Sequence, residues 1–296
     1  MNPNLRIGAF ISGGGTNLQA VIDACENQSI SGQVVFVGTD NPEAKGLERA
    51  RRHSIPSFVV DYGSLLAAYR QDPAGHPLPD DFDLADIQKK CSLFPPGAKT
   101  DRIRRFLETR AIAEAALIAA MKPYPYDLLI LAGFMRTLSP YFIDRVNTDR
   151  TRPRIMNIHP ALLPAFPGIN VQAQAVEYGV RYSGCTVHFV DDGVDTGPII
   201  LQSVVPVDQD DVAGPADLRM RVPAPTAAAD RQAARFFPSQ IDQDGRSLAE
   251  GRLHQGALAA EHVVHAVAGV ADFEADVVTR RDSVVGQAAG NEVGID

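Results

Sequence analysis

The chain has 296 residues, of which 45% are hydrophobic and 7% aromatic, and it contains no Trp. This length is sufficient to bury a core in one large or two small domains, and the composition is that of a globular protein rather than a disordered or fibrous one. The net charge of −8 and the lack of clustered Lys and Arg argue against a general nucleic-acid surface.

The cysteines and the first residues bear on the compartment of the protein. Cys25, Cys91 and Cys185 stand at wide, unrelated spacings that fit neither a disulfide framework nor a zinc site. The first residues show neither the basic flank nor the apolar run of a signal peptide, and no apolar stretch is long enough for a membrane helix. We therefore expect a cytoplasmic protein without a membrane span.

The first 61 residues alternate predicted strands with predicted helices. Apolar runs separated by glycine and polar clusters predict strands at 6–12, 33–38 and 57–60 and helices at 16–27 and 43–53. Strands that alternate with helices indicate a parallel sheet with crossover connections. The predicted fold is α/β, a Rossmann-like parallel or mixed sheet with helices on both faces.

The alternation stops at residues 62–99 and then resumes. Five prolines and an acidic run predict an inserted loop there, with one short helix at 85–90. Downstream, a helix is predicted at 102–121 and strands at 127–133, 154–159, 185–190 and 199–205. The run at 127–133 is almost wholly apolar, which is typical of a central parallel strand buried on both faces.

Residues 208–296 differ in composition from the rest of the chain. They contain eight Arg, no Lys and fifteen acidic residues, so most of the net negative charge lies in this tail. Their hydrophobic periodicity is weak, and small or acidic residues dominate. We expect one folded domain over residues 1–207, followed by an atypical acidic tail over 208–296 that is partly disordered or non-native.

A glycine-rich turn, Ser-Gly-Gly-Gly-Thr-Asn at 12–17, joins the first predicted strand to the first predicted helix. Glycines let the backbone approach a ligand closely, and a helix N-terminus offers N–H groups and the positive end of its dipole. The turn therefore suits a phosphate. A tight turn in which Thr16 caps the helix is the simpler interpretation. A dinucleotide site is disfavoured because the third glycine of that fingerprint would fall at Leu18.

Three further segments carry candidate chemistry. Residues 132–138 follow the central strand, where ligands bind in parallel sheets, although their apolar side chains alone are more typical of a core. Asn157 and His159 point the same way from one strand, so that an amide and an imidazole can together hold a developing oxyanion. Asp195, in a loop of turn residues, would favour the charged form of the histidine. His188, inside an apolar strand, is predicted to be an ordinary buried histidine.

Taken together, these segments resemble the folate-dependent glycinamide ribonucleotide formyltransferases. The resemblance covers roughly residues 5–61 and 110–207, through the stretches ISGGGTNLQAVIDA, GLERA, LILAGFMRTLSP, MNIHPALLPAFPG and QAVEYGVRYSGCTVHFVDDGVDTGPIILQ. It implies that residues 1–207 are a formyltransferase catalytic domain. It also implies the transfer of a formyl group from 10-formyltetrahydrofolate to glycinamide ribonucleotide in purine biosynthesis. Both substrates are small molecules, and no metal is required.

The resemblance further implies roles for individual residues. Catalysis is assigned to Asn157, His159 and Asp195, and the formyl-folate contacts to Arg110, Met135, Arg136, Thr137, Leu138 and Asn157. The substrate phosphate is assigned to Gly15, Thr16 and Asn17. In the implied mechanism Asn157 and protonated His159 stabilise a tetrahedral oxyanion, while Asp195 keeps the histidine charged and helps to move a proton.

Two departures from the family pattern leave alternatives open. The stretch 62–99 is longer than the usual connection and adjoins Arg110, and the tail lacks the helix with which the family helps to hold the ribonucleotide. One alternative is another formyl-folate enzyme, either a deformylase or a formyltransferase acting on tRNA or a sugar nucleotide. A deformylase is expected to carry an extra N-terminal domain, and a tRNA enzyme a basic C-terminal one, whereas this tail is acidic.

Two further alternatives lie outside the formyl-folate enzymes. The first is a binding protein that keeps the ligand sites and has little turnover because of the altered tail. The second is an NAD-dependent dehydrogenase, suggested by the strand–helix–strand start and by Asp40 after the second strand, and disfavoured by Leu18.

Overall fold

The computed structural model describes residues 5–207, so the predictions for the tail at 208–296 lie outside the described residues. The chain forms seven strands and seven helices in this range. In chain order they are β1 (Leu5–Ile11), α1 (Thr16–Glu26), β2 (Gly32–Thr39), α2 (Gly46–Arg52), β3 (Ser57–Val59), α3 (Tyr62–Gln71), α4 (Leu84–Lys90), α5 (Thr100–Met121), β4 (Leu128–Leu131), α6 (Pro140–Val146), β5 (Ile155–His159), α7 (Val171–Tyr178), β6 (Tyr182–Phe189) and β7 (Ile199–Pro206).

All seven strands form one mixed sheet in the order β3-β2-β1-β4-β5-β6-β7. Strands β1 to β5 pair in parallel. Strand β6 is antiparallel to both of its neighbours, β5 and β7. The predicted α/β class and mixed sheet are confirmed, and each predicted strand overlaps an observed one.

The helices cover both faces of the sheet, because side chains alternate between the two faces along each strand. Ile7 and Ile11 of β1 lie in a buried cluster with Leu18 of α1. Phe10, between them in sequence, lies in a second cluster with Leu117 of α5. Full burial of such a side chain contributes about 1.5–3 kcal/mol, so both layers contribute to holding the sheet in place.

The stretch 62–99, predicted as an inserted loop with one short helix, contains two helices. The predicted helix is α4, and α3 is additional. Each begins after an aspartate that caps it: Asp61 accepts from the Ser64 amide at 3.0 Å, and Asp83 accepts from the Ala85 amide at 2.9 Å. Because Tyr62 of α3 is fully buried against the sheet, this part of the stretch belongs to the core of the domain.

Helices α6 and α7 are also additional to the predicted ones. Ser139 caps α6 by accepting from the Tyr141 amide at 3.3 Å, and Pro140 occupies the first turn, where its missing N–H costs nothing. Asn170 and Gly179 bound α7 in left-handed conformations. Neither segment shows a clear helical period of apolar residues, because α6 begins with the continuous run PYFI and α7 alternates apolar residues with glutamines.

None of the helices described between residues 5 and 207 has both the length and the apolar character that crossing a membrane requires.

Candidate active site

The predicted ligand-binding segments lie along one edge of the sheet. Because β1, β4 and β5 are adjacent and parallel, the residues that follow them meet at the carboxyl ends of the strands. The Ser12 amide donates to the carbonyl of Gly133 at 3.0 Å, and the Met135 amide donates to the Ser12 hydroxyl at 2.8 Å. The glycine turn and the segment after β4 are therefore in direct contact.

The glycine turn ends at Gly15, which occupies the N-cap position of α1 with a left-handed φ of 73°. No side chain caps this helix, and Thr16 is its first residue. The simpler interpretation, in which Thr16 caps the helix, is therefore wrong. The first amides of α1 have no side-chain cap, as an anion site at a helix N-terminus requires.

Helix α2 packs against the glycine turn and hydrogen-bonds to its main chain. A Cβ at Gly15 would lie 2.8 Å from the Cα of Gly46, so the two backbones meet at a distance that only glycine allows. The Gly46 amide donates to the carbonyl of Gly13 at 2.9 Å, and Nε of Arg49 donates to the carbonyl of Gly14 at 2.8 Å. The turn is thereby held in one conformation.

Asn157, His159 and Asp195 come together at the end of β5. Nδ1 of His159 lies 3.3 Å from Oδ2 of Asp195, and Nδ2 of Asn157 lies 3.5 Å from Oδ1 of the same carboxylate. Asp195 comes from the loop between β6 and β7, where its φ of 52° is left-handed. The carboxylate of Asp195 thus lies within contact distance of both the amide of Asn157 and the imidazole of His159.

Both ring nitrogens of His159 face oxygen atoms. Nδ1 faces Asp195, and Nε2 lies 2.8 Å from the carbonyl oxygen of Phe166. Both oxygens can only accept, so both nitrogens donate when the imidazole carries its second proton. Each ring nitrogen of His159 therefore has an acceptor for a proton that it carries. Its Nε2–H is engaged with Phe166 in this conformation, so contact with an oxyanion requires an exchange of that bond.

His188 is a fourth member of this group that sequence reasoning missed. It pairs with Asn157 across β5 and β6, and its Nε2 lies 3.2 Å from Asn157 Nδ2 and 3.6 Å from Asp195 Oδ1. Its Nδ1 lies 2.9 Å from the carbonyl of Phe189, so that nitrogen carries a proton. Nε2 can then accept from Asn157, or donate to Asp195 when the ring is charged. His188 is buried as predicted, and it also contacts the predicted catalytic residues.

The carboxyl group of Asp195 has a lowered pKa. Burial pushes the pKa upward, but hydrogen bonding with His188, the positive charge of His159 and the Gly168 amide together outweigh that effect. The Gly168 amide donates to Oδ2 at 2.8 Å. Asp195 is therefore held in its charged form, which is the form that can stabilise a protonated His159.

The residues of the segment after β4 differ in their exposure to solvent. Met135 is 76% exposed, Arg136 and Thr137 are partly buried, and Leu138 is 3% exposed within the second core cluster. Met135 is therefore available to a ligand. A contact by Leu138 would have to use its main chain.

Arg110, assigned from sequence to the formyl-folate contacts, is buried. Only 2% of the residue is exposed. Its guanidinium carbon lies 4.8 Å from the ring centre of Phe106 and 5.5 Å from that of Tyr62. Burial lowers the pKa of Arg110 and outweighs the negative charge of Glu114, which acts to raise it. A ligand on the surface does not reach this guanidinium in the observed conformation, because α3 contributes the Tyr62 ring that packs against it.

Glu114 of α5 is fully buried behind the same segment. Its two carboxylate oxygens accept from the amide and the hydroxyl of Ser139, at 2.7 and 2.5 Å. Burial raises the pKa of Glu114 to about 7, although the bonds from Ser139 and the charge of Arg110 act in the opposite direction. Glu114 therefore anchors the end of the 135–138 segment with a carboxyl group that ionises near neutral pH.

A possible cation site lies away from this edge. Asp23, Glu26 and His53 each place one ligand atom within 4.8 Å of the others, at the ends of α1 and α2. His53 already pairs through Nδ1 with Glu26 at 2.6 Å and through Nε2 with Gln19 at 3.0 Å. Both ring nitrogens are thus occupied by protein partners, and these residues take no part in the candidate active site.

Comparison with known proteins gives a family match. The sequence profile described as "Formyl transferase" matches residues 5–229. The "Phosphoribosylglycinamide formyltransferase" of Escherichia coli is 35% identical over 203 residues, which are 69% of this chain and 74% of that protein. The "Trifunctional purine biosynthetic protein adenosine-3" of Drosophila melanogaster is 39% identical over 208 residues, so the chain spans only 12% of that relative.

A solved structure shows the same likeness. The crystal structure of "glycinamide ribonucleotide transformylase 1" from Symbiobacterium toebii aligns with a TM-score of 0.51 at 38% identity, over 71% of this chain and 77% of that one.

Proposed function

The chain belongs to the formyl transferase family, and on that premise we propose that it transfers a formyl group from 10-formyltetrahydrofolate to glycinamide ribonucleotide, a step of purine biosynthesis. The trifunctional relatives are much longer than this chain, so the proposal concerns formyl transfer alone. Similarity to bacterial relatives of comparable length, which are named phosphoribosylglycinamide formyltransferase, supports the choice of acceptor.

The observation that carries the proposal is the grouping of Asn157, His159 and Asp195 at the same carboxyl end of the sheet as the glycine turn. The grouping supplies an amide donor, an imidazole whose two nitrogens both face acceptors, and a carboxylate held in its charged form. The turn supplies a helix N-terminus without a side-chain cap, which suits the phosphate of the acceptor. We assign that phosphate to Gly15, Thr16 and Asn17.

In the proposed reaction the amine of the acceptor attacks the formyl carbon. A carbon–nitrogen bond forms, negative charge develops on the formyl oxygen, and the bond from the formyl carbon to the folate nitrogen then breaks. Asn157 and the protonated His159 stabilise the oxyanion, and such a donor contributes about 3–4 kcal/mol to transition-state binding. Asp195 maintains the charge on His159 and assists transfer of a proton from the attacking amine to the leaving nitrogen.

The formyl-folate is proposed to bind against residues 135–138 and Asn157. Met135 offers an exposed side chain, Arg136 and Thr137 offer partly exposed ones, and Leu138 offers its main chain. In the observed conformation Arg110 contacts this segment only indirectly. Its guanidinium packs on the ring of Tyr62, and the same ring contacts the guanidinium of Arg136. No metal enters the proposed chemistry.

A formyl-transfer assay tests the proposal. The full chain should convert glycinamide ribonucleotide to its formyl derivative with stoichiometric release of tetrahydrofolate, and a truncation after Val207 measures what the tail contributes. Release of formate without an acceptor would identify a deformylase instead. Binding of both substrates without turnover would identify a ligand-binding protein, and either result would contradict the proposal.

A further inference from the structure

Asp40 is a buried carboxylate outside the residues that the proposed mechanism uses. It follows β2, at the same edge of the sheet as the glycine turn and the segment after β4, and it is 3% exposed. Oδ1 accepts from the hydroxyl of Ser12 at 2.5 Å, and Oδ2 accepts from Nε of Arg136 at 2.6 Å. Each carboxylate oxygen thus binds a group from a different ligand-binding segment.

The bond to Ser12 sets the direction of a short hydrogen-bond chain. A carboxylate can only accept, so the hydroxyl proton of Ser12 points at Asp40 and a lone pair of Ser12 is left for another donor. That donor is the amide of Met135, at 2.8 Å. Asp40 therefore fixes the main chain of Met135 through one intermediate hydroxyl.

The bond to Arg136 fixes a side chain of the same segment. The guanidinium of Arg136 also lies 5.5 Å from the ring centre of Tyr62, whose amide donates to the carbonyl of Asp40 at 3.3 Å. Asp40 thus holds the guanidinium by charge and the start of α3 by its main chain. An ion pair with one buried partner depends strongly on that partner, because removal of one charge leaves the other unpaired.

We propose that Asp40 is a positioning residue for the formyl-folate, one that holds the Met135 main chain and the Arg136 guanidinium in their binding geometry. This inference rests on the proposed function. The requirement is for a carboxylate, since its two oxygens accept from two donors on separate segments. An asparagine in the same place has one acceptor oxygen and would turn an N–H towards one of the two donors.

The test is the variant Asp40→Asn, which keeps the size of the side chain and an oxygen for Ser12. Its amide would face Nε of Arg136, so the charge-assisted bond is lost. Calorimetric titration with 5-formyltetrahydrofolate, a stable isomer of the co-substrate, should give a Kd raised about tenfold, the usual effect of losing such a bond. The KM for 10-formyltetrahydrofolate should rise in parallel, with kcat and the KM for glycinamide ribonucleotide unchanged.

Asp127→Asn is the matched control. Asp127 forms an ion pair with Arg6 at 2.7 Å, at the other end of β1 and β4. This variant also removes an Asp–Arg pair between neighbouring strands, but its Kd for 5-formyltetrahydrofolate should equal that of the wild type. If Asp40→Asn does not fold, Ser12→Ala replaces it, because loss of the hydroxyl breaks the link to Met135 and should raise the same Kd.

The outcomes separate the two proposals. An unchanged Kd in Asp40→Asn, or an equal rise in Asp127→Asn, overturns the positioning role, and so does a fall in kcat alone. A wild-type protein that binds 5-formyltetrahydrofolate without transferring formyl groups overturns the proposed function, while the Kd comparison still decides the role of Asp40. A wild-type protein that binds neither folate overturns both.

Discussion

Nδ1 of His159 lies 3.3 Å from Oδ2 of Asp195, although 36 positions separate the two residues in the sequence. The contact depends on β5, which places the histidine at the carboxyl edge of the sheet, and on the loop between β6 and β7, which returns the aspartate to that edge. Substitution of either residue tests the importance of this pair.

We expect His159→Ala to lower kcat at least about a hundredfold, as removal of an oxyanion donor generally does. The fold should persist, because the imidazole lies at the end of β5 and outside the two main core clusters. The measurement is formyl transfer under saturating substrates, with circular dichroism to verify folding. His76→Ala, in the stretch between α3 and α4, is the control, and wild-type turnover in His159→Ala would contradict the mechanism.

Asp195→Asn should reduce the free energy of unfolding in a pH-dependent way. The folded-state pKa of Asp195 is lowered, so its charge contributes stability above the unfolded-state pKa, and this contribution disappears as the pH falls through the folded-state value. The difference in Tm between wild type and variant should therefore be largest near neutral pH and shrink below about pH 4. Asp80→Asn, at an exposed residue, is the control, and a constant difference for Asp195→Asn would contradict the assignment.

Glu114→Gln should stabilise the protein more at high pH than at low pH. The raised pKa of about 7 means that the folded state retains a proton that the unfolded chain releases near pH 4.5, so wild-type stability falls between these values. Glutamine removes this loss, which is worth up to about 3 kcal/mol. Urea unfolding at pH 5 and pH 8 measures the difference. Glu43→Gln, at an exposed residue that precedes α2, is the control. An equal effect of Glu114→Gln at both pH values would count against the prediction.

Gly15→Ala and Gly13→Ala should behave differently. Gly15 has a left-handed φ, which costs a non-glycine residue about 1–2 kcal/mol, and its added Cβ would strike the backbone of Gly46. Nothing lies within 4 Å of a Cβ built on Gly13. Thermal unfolding should show a clear loss of Tm for Gly15→Ala and little change for Gly13→Ala. The KM for the ribonucleotide should rise in Gly15→Ala, and equal Tm values would show that the turn adapts.

Tyr62→Phe should leave the free energy of unfolding unchanged or increase it. The hydroxyl of Tyr62 is buried and has no hydrogen-bond partner among residues 5–207, so its removal relieves an unsatisfied group. In Tyr141→Phe, by contrast, the lost hydroxyl donates to Asp81 at 3.0 Å, and its removal should cost about 1 kcal/mol. Urea unfolding of both variants makes the comparison, and a larger loss for Tyr62→Phe would reveal a partner such as an ordered water.

Much of the sheet could be predicted from the sequence because its strands are short apolar runs bounded by glycine and polar residues. The run at 127–133, for example, contains β4. Helices α3 and α6 went unpredicted although their capping residues, Asp61 and Ser139, stand at the expected places. The prolines of the 62–99 stretch outweighed the signal from Asp61. At α6 the residues after Ser139 form a continuous apolar run rather than a helical period.

Two features of the candidate site could not be predicted, because they depend on three-dimensional register. His188 reaches Asn157 only since β5 and β6 pair antiparallel with these two residues opposite each other. Asp40 and Arg136 form an ion pair across 96 positions because β2 and β4 flank β1. Local periodicity carries no information on such pairings.

The position of β3 at the edge of the sheet has a consequence for how the domain tolerates change. The chain leaves β3 and must pass the places of β2 and β1 before it enters the sheet again as β4. The entropy of closing such a long connection grows only with the logarithm of its length, so added residues cost little there. Protein engineers who wish to insert a reporter or an affinity module would therefore do best between α3 and α4 at residues 73–78, before the Asp81 and Asp83 contacts, where extra chain leaves the order of the strands intact.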